Sequence, residues 1–133
     1  MSKLLIITLL FFTYSCAQVR AINNDQLQEY LKKNIVVIDI RTEKLWNKTG
    51  IIPQSYKVNF YNEKGKANQK RWLYIFARLV RNKSTLFVLV SQKGKEAKEV
   101  AELLHEDIGY QKVLYLKNGI SAWIDDDRKV IDF

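Results

Sequence analysis

The chain has one cysteine, one histidine and one proline in 133 residues, and each scarcity removes a class of explanation. A single cysteine, Cys16, leaves no disulfide within the chain, so the fold must be held by its core. With a single histidine, His105, a metal site would have to be built from carboxylates. The acidic run Asp125-Asp126-Asp127 is more simply a solvated turn, and no metal is expected. One proline and five glycines are too few for a fibrous or low-complexity chain, and no internal repeat is visible. No glycine-rich nucleotide loop occurs either, and no cofactor is implied.

Acids are scarce in one region. Residues 64–98 carry Lys64, Lys66, Lys70, Arg71, Arg78, Arg81, Lys83, Lys93, Lys95 and Lys98 against the single acid Glu96. Together with a net charge of +8, this asymmetry favours acidic ligands. A solvated basic surface is the simpler reading, and no nucleic-acid partner is expected.

What the chain does have is enough apolar material, 47% of its residues, for one core and one domain. The N-terminus stands apart. Lys3 precedes a mainly apolar stretch, residues 4–12, then Ser15-Cys16-Ala17, the three-part layout of a secretory signal peptide. The stretch is too short to span a bilayer comfortably. Residues 1–17 are therefore assigned to a signal peptide and 18–133 to the domain. Cleavage after Ala17 would give a soluble exported protein. Cleavage before Cys16, as at a bacterial lipobox, would give a lipoprotein of the cell envelope anchored in its inner or outer membrane through Cys16. The second is preferred, because the only cysteine directly follows a signal-like core and a small residue. By either route no free thiol remains.

The centre of the domain is residues 86–104. Leu86-Phe87-Val88-Leu89-Val90 is an unbroken apolar run without alternation, the mark of a strand covered on both faces. Ser91-Gln92-Lys93-Gly94-Lys95 is a tight loop, and Ala97, Val100, Ala101 and Leu104 then fall on one helical stripe. This is a βα unit, whose loop lies where α/β folds place their ligands. The loop N–H groups at a helix N-terminus, with Lys93 and Lys95 beside them, make residues 91–95 a candidate anion cradle, which Glu96 opposes. Elsewhere, residues 35–40 read as a second buried strand ending at Asp39, residues 19–22 as a short strand, and residues 24–33 as a helix capped by Asn23 or Asn24. Trp72, Ile75, Phe76, Leu79 and Val80 form a helical stripe expected to cover one sheet face. His105 is expected near a helix C-terminus as a partner of its dipole.

Four separated segments, in order, resemble the rhodanese-like domains. Ile38-Asp39-Ile40-Arg41 is similar to the family's strand ending in Asp-Val-Arg, with Trp46 at its usual aromatic. Gly50-Ile51-Ile52-Pro53-Gln54-Ser55 is similar to its Gly-His-Ile-Pro-Gly-Ala turn, with Ile51 and Gln54 departing from it. The Ser91 loop resembles its Cys-x-x-Gly-x-Arg-Ser active-site loop, and residues 113–123 resemble its closing strand, Gly-Gly turn and helix, with Asn118, Gly119 and Trp123. The resemblance implies an α/β fold with a central parallel sheet of about five strands and helices on both faces. It gives Asp39, Arg41, Pro53, Gly119 and Trp123 structural roles. It places Ser91 at the nucleophilic cysteine, Glu96 at the loop arginine and Ala97 at the following serine. Sulfur transfer needs a thiolate that can hold a persulfide, which Ser91 cannot form. A serine nucleophile would also need a paired base, and His105 lies at the far end of the next helix. The expectation is a catalytically inactive binding module for a protein or a small anionic ligand, with a sulfurtransferase as the alternative.

Overall fold

The computed structural model describes residues 18–132. The assignments to residues 1–17, Cys16 included, lie outside the described residues. Five parallel strands, β1 (Gln18–Ile22), β2 (Val36–Asp39), β3 (Tyr56–Lys57), β4 (Phe87–Val90) and β5 (Lys112–Leu116), form one sheet in the order β1-β5-β4-β2-β3. Parallel strands need crossovers, supplied by α1 (Asn24–Lys32), α2 (Glu43–Thr49), α3 (Gln69–Leu79) and α4 (Lys95–Leu103), with α5 (Gly119–Asp125) after the last strand.

The continuous apolar runs divide between two faces as their period of two requires. Phe87 and Leu89 join Phe76, Trp72, Val100 and Leu104 on one side of the sheet. Val88 and Val90 join Leu27, Leu31, Ile120 and Trp123 on the other. Helices α3 and α4 therefore cover one face, and α1 and α5 the other. Each large apolar side chain buried this way contributes about 1.5–3 kcal/mol.

Helix ends follow local chemistry. The Asn23 side chain accepts from Gln26 N at 2.8 Å while Gln26 Oε1 accepts from Asn23 N at 2.9 Å, a capping box that starts α1. Pro53 and Gln54 occupy the two central places of a turn closed from Ser55 N to Ile52 O, with Gln54 at φ 69°. A left-handed glutamine costs about 1–2 kcal/mol that glycine would not, so the resemblance to a glycine-bearing turn has a strained residue at its centre.

Helix α4 ends at Leu103, and His105 lies just beyond it in a π-helical turn, Leu104–Ile108, closed by Gly109 at φ 94°. His105 Nδ1 lies 2.7 Å from Tyr110 O, and since a carbonyl only accepts, Nδ1 carries the proton. His105 therefore fastens this turn.

Candidate functional site

The connections after β2, β4 and β5 all leave the carboxyl edge of the sheet, and hydrogen bonds tie them into one unit. Asp39 ends β2, and Arg41 two residues later turns back onto it. Arg41 Nε donates to both Asp39 oxygens at 3.0 and 3.1 Å, and Nη2 to Asp39 Oδ2 at 2.9 Å. Nη2 also donates to Gly50 O at 2.9 Å, and Nη1 to Thr49 Oγ1 and Gln92 Oε1 at 2.9 and 3.0 Å. Every N–H direction of the guanidinium is thus engaged, and both side chains of the ion pair are almost fully buried, at 2% and 1% exposure. The charge of Arg41 is spent on Asp39, and its remaining donors join α2 to the β4–α4 loop.

Gln92 continues the chain of contacts by donating from Nε2 to Ser121 Oγ at 2.9 Å. Main-chain bonds run beside it, from Ile120 N to Ser91 O and from Ser121 N to Gln92 O. The two loops meet backbone to backbone. A Cβ on Gly94 would lie 2.0 Å from Lys117 O, and one on Gly119 would lie 2.4 Å from Gln92 O, so both positions exclude any side chain.

Ser91 is buried, and its hydroxyl oxygen accepts from Gly94 N at 3.1 Å and from Ala97 N at 3.2 Å. The Gly94 N–H of the loop that the sequence offered to an anion, and the Ala97 N–H in the first turn of α4, are therefore bonded inside the protein. Lys93 and Lys95 are exposed and do not line the adjoining cleft. That cleft, about 460 Å³, is walled by Ile40, Leu45, Tyr61 and Gln92, with Ser91 at the loop side and Glu63, Glu96 and Glu99 among its lining residues. Burial pushes the Tyr61 phenol above its ordinary value, helped by the Glu99 and Glu96 carboxylates, so it stays protonated. An anion entering would meet three carboxylates and a neutralised arginine.

The structure brings together Asp39, Arg41, Ser91, Gln92, Gly94, Glu96 and Gly119 from the sequence-derived set. Pro53 sits in its turn away from the cleft. Trp123 lies in the core under α5, its Nε1 donating to Lys129 O at 2.8 Å. Sequence reading missed Glu99, Tyr61 and Glu63. Glu99 was findable, since it lies one helical turn beyond Glu96 on the same face. Tyr61 and Glu63 come from an irregular connection with no periodic signal.

The sequence model of the rhodanese-like domain family matches residues 23–126. No curated protein matches the chain. Solved structures similar in fold include the rhodanese-like domain of an Anabaena protein, at TM-score 0.65 and 17% identity, covering 85% of this chain and 79% of that one. A rhodanese-related protein of Thermoplasma volcanium is similar at TM-score 0.61 and 19% identity, covering 84% and 97%. A thiosulfate sulfurtransferase of Pseudomonas aeruginosa is similar at TM-score 0.68 and 16% identity, covering 86% of this chain and 20% of that one. At these identities the likeness is one of fold.

Proposed function

The chain belongs to the rhodanese-like domain family, and we propose that it is a member that binds without transferring sulfur. The observation that carries this reading is Ser91. Its oxygen stands at the start of the loop, where the family resemblance puts the sulfur nucleophile, and takes the N–H groups of Gly94 and Ala97 for itself. The sequence has no cysteine after Cys16, so no other side chain of the domain can carry a persulfide. What is left is a pre-formed cleft with a rigid floor, suited to holding a partner's side chain or a small ligand. Affinity of the loop for anions is held down by Ser91 Oγ and by the carboxylates of Glu96 and Glu99.

The test is catalytic. Sulfur transfer from thiosulfate to cyanide is expected at the uncatalysed rate across the pH range. The Ser91→Ala protein should be indistinguishable from the parent. Turnover well above background that disappears in Ser91→Ala would overturn the reading in favour of an enzyme.

We further propose export to the cell envelope, with attachment to the membrane through a lipidated Cys16. Several acyl chains, each contributing roughly 0.8 kcal/mol per buried methylene, anchor a protein stably. Intact mass of the native protein is expected to show a diacyl or triacyl modification on a chain starting at Cys16, and Cys16→Ala to be unprocessed or soluble. An unmodified chain starting at Gln18 would show the soluble route instead.

A further inference from the structure

The basic residues between positions 64 and 98 find no use in the cleft, whose charged rim is acidic. Some of them gather elsewhere. Between the segment after β3 and the first turns of α3 lies a groove of about 350 Å³, with Val58, Phe60, Trp72 and Ile75 along its floor and Lys57, Lys66 and Arg71 among its lining residues. Among the described residues, no aspartate or glutamate lines it. The connection of residues 61–67, pinched by a bridge between Tyr61 and Ala67, separates the two sites. Tyr61 and Glu63 face the acidic cleft, while Lys66 and Ala67 face the groove.

The groove continues onto the outer surface of α3. Arg71, Tyr74, Ile75 and Arg78 fall at spacings of three and four residues and share one helical face. Tyr74 is 68% exposed and Ile75 36% exposed, an unusual pairing of apolar surface with two arginines. The adjoining β3 is the last strand of the sheet, and its Tyr56 is 47% exposed.

We propose that this groove docks an acidic, partly apolar segment of a partner protein, its carboxylates meeting Lys66 and Arg71 and an apolar side chain seated on Ile75. Charge complementarity selects the acidic partner, and the apolar floor selects a peptide over an inorganic anion, which would gain nothing from it. Nucleic acid fits less well. The Trp72 ring is stacked on Phe76 at 4.8 Å and met edge-on by Phe60 at 5.2 Å, so the floor offers no open aromatic face for a base. Exposed Tyr74 has Arg78 over its ring at 6.0 Å.

The probe is a labelled ten-residue peptide alternating glutamate with leucine and phenylalanine, titrated into the purified protein and followed by backbone amide shifts. Shifts are expected in residues 57–60 and 66–75, with affinity falling about tenfold or more in Lys66→Glu/Arg71→Glu and falling also with added salt. Both side chains are exposed, and an unchanged thermal midpoint would confirm that the variant folds. In Glu96→Arg, altered only in the other cleft, the shifts of residues 57–60 and 66–75 and the affinity they report should be unchanged, which separates the groove from the Ser91 site. The proposal is overturned if the peptide shifts map to residues 91–97, if the double variant binds equally well, if replacing the glutamates by glutamine costs nothing, if a single-stranded oligonucleotide of equal charge binds more tightly at the groove, or if inorganic phosphate alone reproduces the shifts.

Discussion

Replacing Arg41 by methionine is expected to destabilise the domain by about 3–5 kcal/mol. The substitution removes the partner of a carboxylate that is 1% exposed and breaks every guanidinium bond that joins Asp39, Thr49, Gly50 and Gln92. An uncompensated buried charge is what makes the loss large. A whole domain of this size is stable by only roughly 5–15 kcal/mol, so a substantial fraction of the protein could unfold under mild conditions. Chemical denaturation of parent and variant measures the difference directly. The double variant Asp39→Asn/Arg41→Met should recover part of it, because the stranded charge is gone even though the bridges to Gln92 and Thr49 are not. A loss below 1 kcal/mol in the single variant would mean that the pair does not hold the loops together. The prediction is independent of catalysis: it treats Arg41 as a fastener whose charge is already neutralised.

That reading of Arg41 shows how far sequence alone reached. Strands β2 and β4 were legible because a strand buried on both faces has to be continuously apolar, and residues 35–40 and 86–90 are. The Asp39-x-Arg41 pattern was legible only through family resemblance, and its partner Gln92 lies 51 residues away, beyond any local rule. Strand β3 has two residues and leaves no pattern to read. The π-helical turn after α4 was invisible for another reason, since Leu104-His105-Glu106-Asp107-Ile108 carries no feature that distinguishes it from a frayed helix end. The charge of the site was misjudged by counting neighbours along the chain. Lys93 and Lys95 closely precede Glu96 in sequence, but Lys93 lies before the helix and a helix turns by about 100° per residue, so the Lys95 and Glu96 side chains diverge while Glu96 and Glu99 share a face. Charge balance over a window told of the protein's surface as a whole, and the fold sorted that charge into an acidic cleft and a basic groove.

Glu96→Arg is expected to turn the cleft from one that repels anions into one that binds them, by roughly 10- to 100-fold in affinity for sulfate. The change replaces a carboxylate by a guanidinium at the first turn of α4, a difference of two charges beside the loop. At ~6 Å and an effective dielectric of ~40, each protein charge is worth about 1.4 kcal/mol per charge on the bound anion, an upper bound that exposure of the position and salt screening reduce to the range given. The helix N-terminus and the loop N–H groups then act with the new side chain instead of against a negative one. Two of those groups, Gly94 N and Ala97 N, remain bonded to Ser91 Oγ, so removing that acceptor should strengthen the effect. The Glu96→Arg/Ser91→Ala protein is therefore expected to bind sulfate more tightly than Glu96→Arg alone, and both affinities should fall as salt is raised. Amide shifts of residues 91–97 on sulfate titration measure this, with the parent as reference. If neither variant binds better than the parent, the loop is a closed structural turn, and ligand recognition at this edge of the sheet must come from the Tyr61 and Glu99 wall of the cleft.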